Sequence, residues 1–236
     1  MSLITDFLGG DASGLLMPVS KQTFTASGNF TAPYTGHYLV SVTGGGGGGG
    51  SNFGSGGAGS STDYALVHLT KDDVVPVTVG AKGAGATDYS LNNATAGGVS
   101  SFGVHLSVAG GSRGITSYNT GYNTITAPTG RGCHGGKGNT VTDLDGEDFS
   151  TFVDLDFLLS GVNMKVQKGG LGNSGTNYGG GGGASLFGGG GAAVVSGSAV
   201  AVPAASYGAG GGAGGGNVGS NGGAGADGIV IIGLLK

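Results

Sequence analysis

The sequence contains little charge, and this shortage limits the partners it can bind. Lys and Arg together account for nine of 236 residues, and they are scattered along the chain. Nucleic-acid-binding domains carry a clustered basic surface, so we expect no nucleic-acid partner. Charged residues make up only 9% of the chain, whereas disordered chains stay unfolded because they are polar, charged and poor in apolar surface. The low charge therefore favours a folded protein.

Cysteine and long apolar runs are also scarce. The single cysteine, Cys133, cannot form an internal disulfide, so the fold does not depend on cross-links. No apolar run is long enough to span a bilayer, and we expect no membrane insertion. The first ten residues, MSLITDFLGG, have no basic stretch before their short apolar run, which is not typical of a secretory signal. These features predict synthesis in a cytoplasm.

Catalytic motifs are weak. Cys133 and His134 are adjacent, but neighbouring residues of a strand point to opposite faces and a nucleophile needs a base within reach. Residues 130–138, GRGCHGGKG, lack the Ser or Thr that follows the lysine of a phosphate-binding loop. Packed or exposed side chains are the ordinary interpretation of the three histidines in predicted strands, His37, His68 and His105. We predict no enzyme activity, no metal centre and no cofactor.

One acidic segment leaves a cation site open as an alternative. DLDGED, from Asp143 to Asp148, brings four carboxylates together. Its spacing departs from that of an EF-hand loop, and no helix pattern flanks it. A solvated acidic turn is the favoured interpretation.

Glycine is the residue present in excess, at 60 of 236 positions. In two tracts the glycines recur with a period of three residues, broken once in each. The first phase contains Gly44, Gly47, Gly50, Gly56 and Gly59, and the second contains Gly210, Gly216, Gly219, Gly222, Gly225 and Gly228. Three residues per turn is the repeat of the polyproline II helix, and collagen is excluded because its strict repeat and high proline content are absent.

Such tracts form either a flexible linker or a bundle of packed polyglycine II rods. Large side chains interrupt the glycines at intervals, and a flexible linker does not need them. They are Phe53, Tyr178, Leu186, Phe187, Val194, Val195 and Tyr207. Ordering glycine is entropically costly, and only dense pairing between rods offsets that cost. We therefore favour the bundle, with these side chains as anchors over its faces.

Strand patterns surround the glycine tracts. Phe24 and Phe30 lie on either side of a turn signal at residues 27–29. The predicted strand regions are residues 21–43, a hairpin at 64–80 around Lys71-Asp72-Asp73, a strand or strand pair at 99–109 and a buried last strand at 229–232. The predicted fold is mainly β, with a small β-sheet or sandwich, a bundle of polyproline II or polyglycine II rods, and little helix.

Two units are predicted along the chain. Residues 21–236 form the glycine-rich domain, with a less glycine-rich insertion at 112–168. Residues 1–20 form an N-terminal docking segment, in which a short apolar helical stripe ends at two glycines. The stripe consists of Leu3, Ile4, Phe7 and Leu8. The alternative is a tail that folds back on its own domain.

Two polar, aromatic segments are candidate binding loops. Residues 117–130 contain Tyr118, Asn119, Tyr122 and Asn123, and residues 87–97 contain Tyr89 and Asn92. Tyrosines among small polar residues provide contact area at low entropic cost, and loops on a rigid scaffold carry recognition. An ordinary surface loop is the alternative interpretation of both segments.

The order of motifs resembles a known family. The leading FTASGNFTAPYTGHYLVSVTGGGGGGG, the VVPVTVGAKGAG step, GGVSSFG, the long glycine tracts and the terminal GADGIVIIG resemble the glycine-rich domain of phage tail-fibre, tail-tip and receptor-binding proteins. The chain is also similar, more distantly, to the glycine-rich distal adhesins of T-even-type phages, in which polyglycine II rods form a sandwich and their loops touch the bacterial surface. The insertion at 112–168 departs from that pattern.

The resemblance implies a virion tail protein made in the host cytoplasm. Its expected partners are other phage tail proteins and a bacterial surface receptor, protein or glycan, and it is expected to form a homo-oligomer such as a trimer. Two alternatives are a structural virion spacer or decoration protein without a receptor, and an ice-binding rod bundle. An ice-binding protein needs a flat, regular face, which the irregular anchors oppose.

Overall fold

A computed structural model describes residues 18–52, 54–87, 93–116, 179–192, 201–215 and 220–235. These ranges contain eight β-strands and no helix. The strands are β1 (Pro18–Phe24), β2 (Gly28–Thr31), β3 (Gly36–Thr43), β4 (Thr62–Leu69), β5 (Val74–Thr78), β6 (Ser100–Phe102), β7 (Leu106–Val108) and β8 (Ile229–Leu235). The predicted mainly β fold is confirmed.

The strands form two antiparallel sheets that pack face to face. Sheet A has the order β1-β8-β3-β4, and sheet B has the order β2-β5-β6-β7. In β3, alternation places Tyr38, Val40 and Val42 on the face that packs into the core, where Phe30 and Phe102 approach from sheet B. The last strand, β8, is buried along its whole length because it lies between β1 and β3. The predicted buried last strand is therefore confirmed.

The predicted hairpin at residues 64–80 is wrong in its pairing. The turn at Lys71-Asp72-Asp73 is present, with Asp72 in the left-handed region at φ 71°. However, β4 pairs with β3 in sheet A, whereas β5 pairs with β2 and β6 in sheet B. The turn therefore passes the chain from one sheet to the other. The strand pair predicted at 99–109 does form, as β6 and β7.

Ten segments of the described residues, most of them rich in glycine or alanine, form a bundle of extended rods. Numbered along the chain, the rods are residues 44–50, 54–60, 80–87, 93–99, 109–115, 179–184, 188–192, 201–204, 208–214 and 220–228. They pair with one another through backbone hydrogen bonds between rods rather than along one rod. Seven residues of polyproline II geometry span about 20 Å, which sets the length of rod 1.

The amides of rod 1 donate to three neighbouring rods in strict rotation. The acceptors for residues 45–50, in order, are Gly98, Ala226, Ala58, Thr95, Gly223 and Ser55, at 2.8–3.0 Å. The first and fourth acceptors lie on rod 4, the second and fifth on rod 10, and the third and sixth on rod 2. A period of three distinguishes this geometry from a β-strand, in which successive residues alternate with a period of two. Rod 1 is thus a polyglycine II-type helix.

The carbonyls of rod 1 accept from three further rods in the same rotation. The donors to residues 45–50, in order, are Gly111, Gly83, Gly211, Gly114, Ala86 and Gly214, at 2.7–3.0 Å. They lie on rods 5, 3 and 9. Rod 1 therefore has six hydrogen-bonded neighbours and lies at the centre of a hexagonal array. Rod 9 likewise pairs with six rods, namely 1, 2, 6, 7, 8 and 10.

Glycine is required at the bundle centre because the backbones approach so closely. A Cβ added at any residue from Gly44 to Gly50 would lie nearer than 3.0 Å to a backbone atom of a neighbouring rod, a separation that real Cβ atoms essentially never show. The carbonyls it would meet belong in turn to rods 5, 3 and 9. The seven-glycine run in the sequence therefore corresponds to a rod surrounded on all sides.

Each of the two sets of glycines spaced three residues apart is divided between two rods. The chain reverses direction within residues 51–54, so Gly44 and Gly56 lie on different, antiparallel rods. It reverses again between Gly215 and Ser220, which separates Gly210 from Gly222. The prediction of a three-residue repeat holds within a rod, but the phase does not continue across the turn.

Two of the predicted anchors, Leu186 and Phe187, pack against a sheet rather than over the rods. Leu186 and Phe187, in the turn between rods 6 and 7, contact Ile229 and Ile231 on the outer face of sheet A. Phe187 also meets the ring of Tyr207 edge-on, with ring centroids 6.2 Å apart. The remaining predicted anchors, Phe53, Tyr178, Val194 and Val195, lie outside the described residues.

Candidate functional site

The path of the chain gives the bundle two different ends. At one end, six rods continue directly into strands, and rods 6 and 8 turn back into rods 7 and 9. We call this the sheet end. At the opposite end, the far end, rods join in the pairs 1 to 2, 3 to 4, 5 to 6, 7 to 8 and 9 to 10. All five of these connections therefore begin and finish at the same end of the molecule.

The connection from rod 3 to rod 4 has a closed base. The amide of Thr87 donates to Asn93 Oδ1 at 3.1 Å, and Asn93 Nδ2 donates to Thr87 Oγ1 at 2.9 Å. Further along the same two rods, toward the sheets, the amide of Ala84 donates to Thr95 Oγ1 at 2.8 Å. We call the Thr87–Asn93 pair the clasp. It holds the two ends of residues 88–92 together on the bundle.

The connection from rod 5 to rod 6 begins and finishes on the turn between rods 1 and 2. Before it, Thr116 Oγ1 lies 3.0 Å from Ser51 Oγ, and both Ser51 and Asn52 are buried. After it, the amide of Gly180 donates to the carbonyl of Gly54 at 2.9 Å. Asn52 adopts the left-handed region at φ 49°, which Asn tolerates better than most residues. The tight turn thus provides the base for both ends of residues 117–178.

The predicted binding residues lie in these two connections but outside the described residues. Tyr89 and Asn92 fall between Thr87 and Asn93, whereas Tyr118, Asn119, Tyr122 and Asn123 fall between Thr116 and Gly179. Their flanking residues all lie at the far end of the bundle. The structure thus brings together the bases of two segments that the sequence separates.

The other candidate sites of the sequence also fall outside the described residues. These are the docking residues Leu3, Ile4, Phe7 and Leu8, the Cys133-His134 pair and the acidic segment from Asp143 to Asp148. The docking segment joins the described chain at Pro18, which pairs with Leu235. Because β8 leaves rod 10 at Ile229 and runs away from the bundle, Pro18 lies at the pole opposite the far end.

Sequence reasoning did not assign the bases of the loops, although Thr87 and Asn93 fall within its candidate loop at residues 87–97. Ser51, Thr87, Asn93 and Thr116 are short polar residues that end or begin a rod, and their side chains bond across the chain. The available signal was a Ser or Thr where a run of glycine and alanine stops, as at Ser51 after Gly50 and at Thr87 after Ala86. Such residues favour turns because their side chains bond nearby backbone groups.

Within the described ranges, the chemistry of the site is that of hydroxyls and amides. No group of three or more His, Cys, Asp or Glu side chains lies close enough to hold a metal ion in this part of the chain. The same residues contain no helix that is long and apolar enough to cross a bilayer.

Comparison with protein families gives a match over most of the chain. A family model described as a glycine-rich domain matches residues 22–234. The chain belongs to this glycine-rich domain family. The match begins within β1 and finishes within β8, so it includes both sheets and every rod of the bundle. No curated protein matches the chain.

Proposed function

We propose that this glycine-rich domain protein is a phage virion tail component that displays loops for binding to a bacterial surface receptor. The observation that carries the proposal is the opposition of the two ends. Five of the rod connections begin and finish at the far end, while Pro18, where the predicted docking segment joins, lies at the outer edge of the sheets. An attachment protein needs this arrangement, with assembly at one pole and recognition at the other.

The hexagonal bundle supports the proposal because it is a stiff base for loops. Rod 1 has every amide and carbonyl from Gly45 to Gly50 paired with a neighbouring rod. Recognition loops bind better when their ends are fixed, because less entropy is lost on binding. The Thr87–Asn93 clasp and the Ser51–Thr116 pair fix such ends here.

The receptor role is tested with purified protein that competes with phage particles for adsorption to host cells. We expect Tyr118→Ala with Tyr122→Ala to weaken competition at least tenfold. Tyr34→Ala is the matched control, since Tyr34 is 53% exposed in the β2–β3 connection, toward the opposite pole. Circular dichroism confirms that each variant is folded. If the double variant competes as well as the unchanged protein, these tyrosines do not bind the receptor.

The same assay distinguishes the structural alternative. A spacer or decoration protein without a receptor would not compete at all, although it would still join particles. The docking role is tested separately by removing residues 1–17, which leaves β1 intact from Pro18. We expect the truncated protein to fold and to be lost from particles. Normal incorporation would show that the segment does not dock.

A further inference from the structure

Two histidines from different strands face each other on the outer side of sheet A. His37 of β3 and His68 of β4 are directly opposite in register. Their chain neighbours Tyr38 and Val67 are buried in the core, so alternation places both imidazoles on the other face, where they are exposed. The two rings lie edge to face, with centroids 5.0 Å apart and planes inclined at 70°.

This separation matches that of two imidazoles sharing one metal ion. With metal–nitrogen distances of about 2.0–2.1 Å and near-tetrahedral angles, the centres of two bound rings stand about 5 Å apart. We propose that His37 and His68 chelate one divalent transition ion of the Zn²⁺, Ni²⁺ or Cu²⁺ class, for which imidazole is a preferred ligand. This site is independent of the far end and of the receptor-binding role.

The backbone of sheet A fixes the positions of His37 and His68 before a metal ion binds. β3 is hydrogen-bonded on both sides, to β4 and to β8, so the backbone of His37 is fixed. β4 is in register with β3 along eight residue pairs, from Gly36–Leu69 to Thr43–Thr62. Little ordering is therefore needed beyond the side-chain rotamers. The ion's other coordination positions are left for water, because no third His, Cys, Asp or Glu ligand lies nearby among the described residues.

The test is calorimetric titration of NiCl₂, and separately of ZnCl₂, into full-length protein that carries no histidine tag. We expect His37→Ala and His68→Ala each to weaken binding at least tenfold. Because a chelate needs both rings, the double variant should bind little more weakly than either single variant. The matched control is His105→Ala, since His105 lies in the β6–β7 turn of sheet B, away from the pair.

The double variant also measures any metal binding by Cys133, His134 and the acidic segment from Asp143 to Asp148. His37, His68 and His105 are all exposed, so variants at these positions should keep the melting temperature of the unchanged protein. The proposal is overturned if the double variant binds nickel and zinc as tightly as the unchanged chain, or if losing His105 weakens binding as much as losing His37. It is also overturned if the effects of the two single variants simply add, as independent ligands would.

Discussion

Gly48 of rod 1 packs directly against the carbonyl of Ala84 in rod 3, with no room for a side chain between them. A Cβ on Gly48 would lie nearer than 3.0 Å to this oxygen and to the amide nitrogen of Gly85. Both neighbours are backbone atoms, so neither can turn aside. We expect Gly48→Ala to lower the free energy of unfolding by about 3 kcal/mol or more, measured by chemical denaturation.

Gly28→Ala is the control for this substitution. A Cβ at Gly28 would make an ordinary contact of 3.7 Å with the ring of Phe24, at the start of β2. We expect a change of less than about 1 kcal/mol in the free energy of unfolding. Equal effects of the two substitutions would mean that rod 1 has room for side chains, and the hexagonal packing would be wrong.

A buried hydroxyl pair joins the sheet to the bundle. Thr43 Oγ1 and Thr62 Oγ1 lie 2.7 Å apart, and both residues are buried where β3 and β4 meet rods 1 and 2. Thr43→Val leaves the Thr62 hydroxyl buried without this partner, which should cost about 1–3 kcal/mol of folding free energy. Thr62→Val should cost a similar amount.

The double variant provides the control for the threonine pair. When both hydroxyls become methyl groups, neither is left without a partner, so the loss should be well below the sum of the single losses. Urea denaturation of all four proteins measures the coupling energy. Additive losses would show that the two hydroxyls do not bond to each other.

The sequence predicts the rods better than it predicts their arrangement. Seven consecutive glycines indicate a rod without side chains, and rod 1 is such a rod. Its six neighbours are not encoded locally, because glycines offer no side chain by which one rod could be told from another. The strands and turns that continue each rod determine instead which backbones meet. This explains why a phase was predicted across residues 51–54, where the chain reverses.

Strand pairing shows a related limit. The alternation of β4 and β5 is the same whether the strands pair with each other or lie in opposed sheets, since each buries one face in either case. The sequence also could not predict the contact between Ser51 and Thr116 at the far end, because these residues are 65 positions apart in the chain. The sequence therefore predicted the individual turn and strands, whereas contacts between distant parts of the chain determine which strands pair.

The Thr87–Asn93 clasp should control access to the connection that carries Tyr89. Asn93→Ala removes both hydrogen bonds, and because the pair is exposed we expect a loss below about 1.5 kcal/mol in global stability. Cleavage by chymotrypsin after Tyr89 should nevertheless become faster, since the base of the segment is open. Asn29→Ala, an exposed asparagine of β2, is the matched control. Equal cleavage rates in both variants would show that the clasp does not hold the segment.

Hydrogen exchange tests the bundle itself, residue by residue. In rod 1 every amide from Gly45 to Gly50 donates to another rod, so all six should exchange slowly. Rod 5 lies at the edge of the array, where Gly111 and Gly114 donate to rod 1 but Gly110 has no hydrogen-bond acceptor among the described residues. We therefore expect slow exchange at Gly111 and Gly114, three residues apart, and fast exchange at Gly110, whereas protected amides of an edge strand would lie two residues apart. NMR exchange rates measure this directly. If rod 1 exchanges as fast as an unstructured peptide, the rods are not paired, and the loops at the far end have no rigid base.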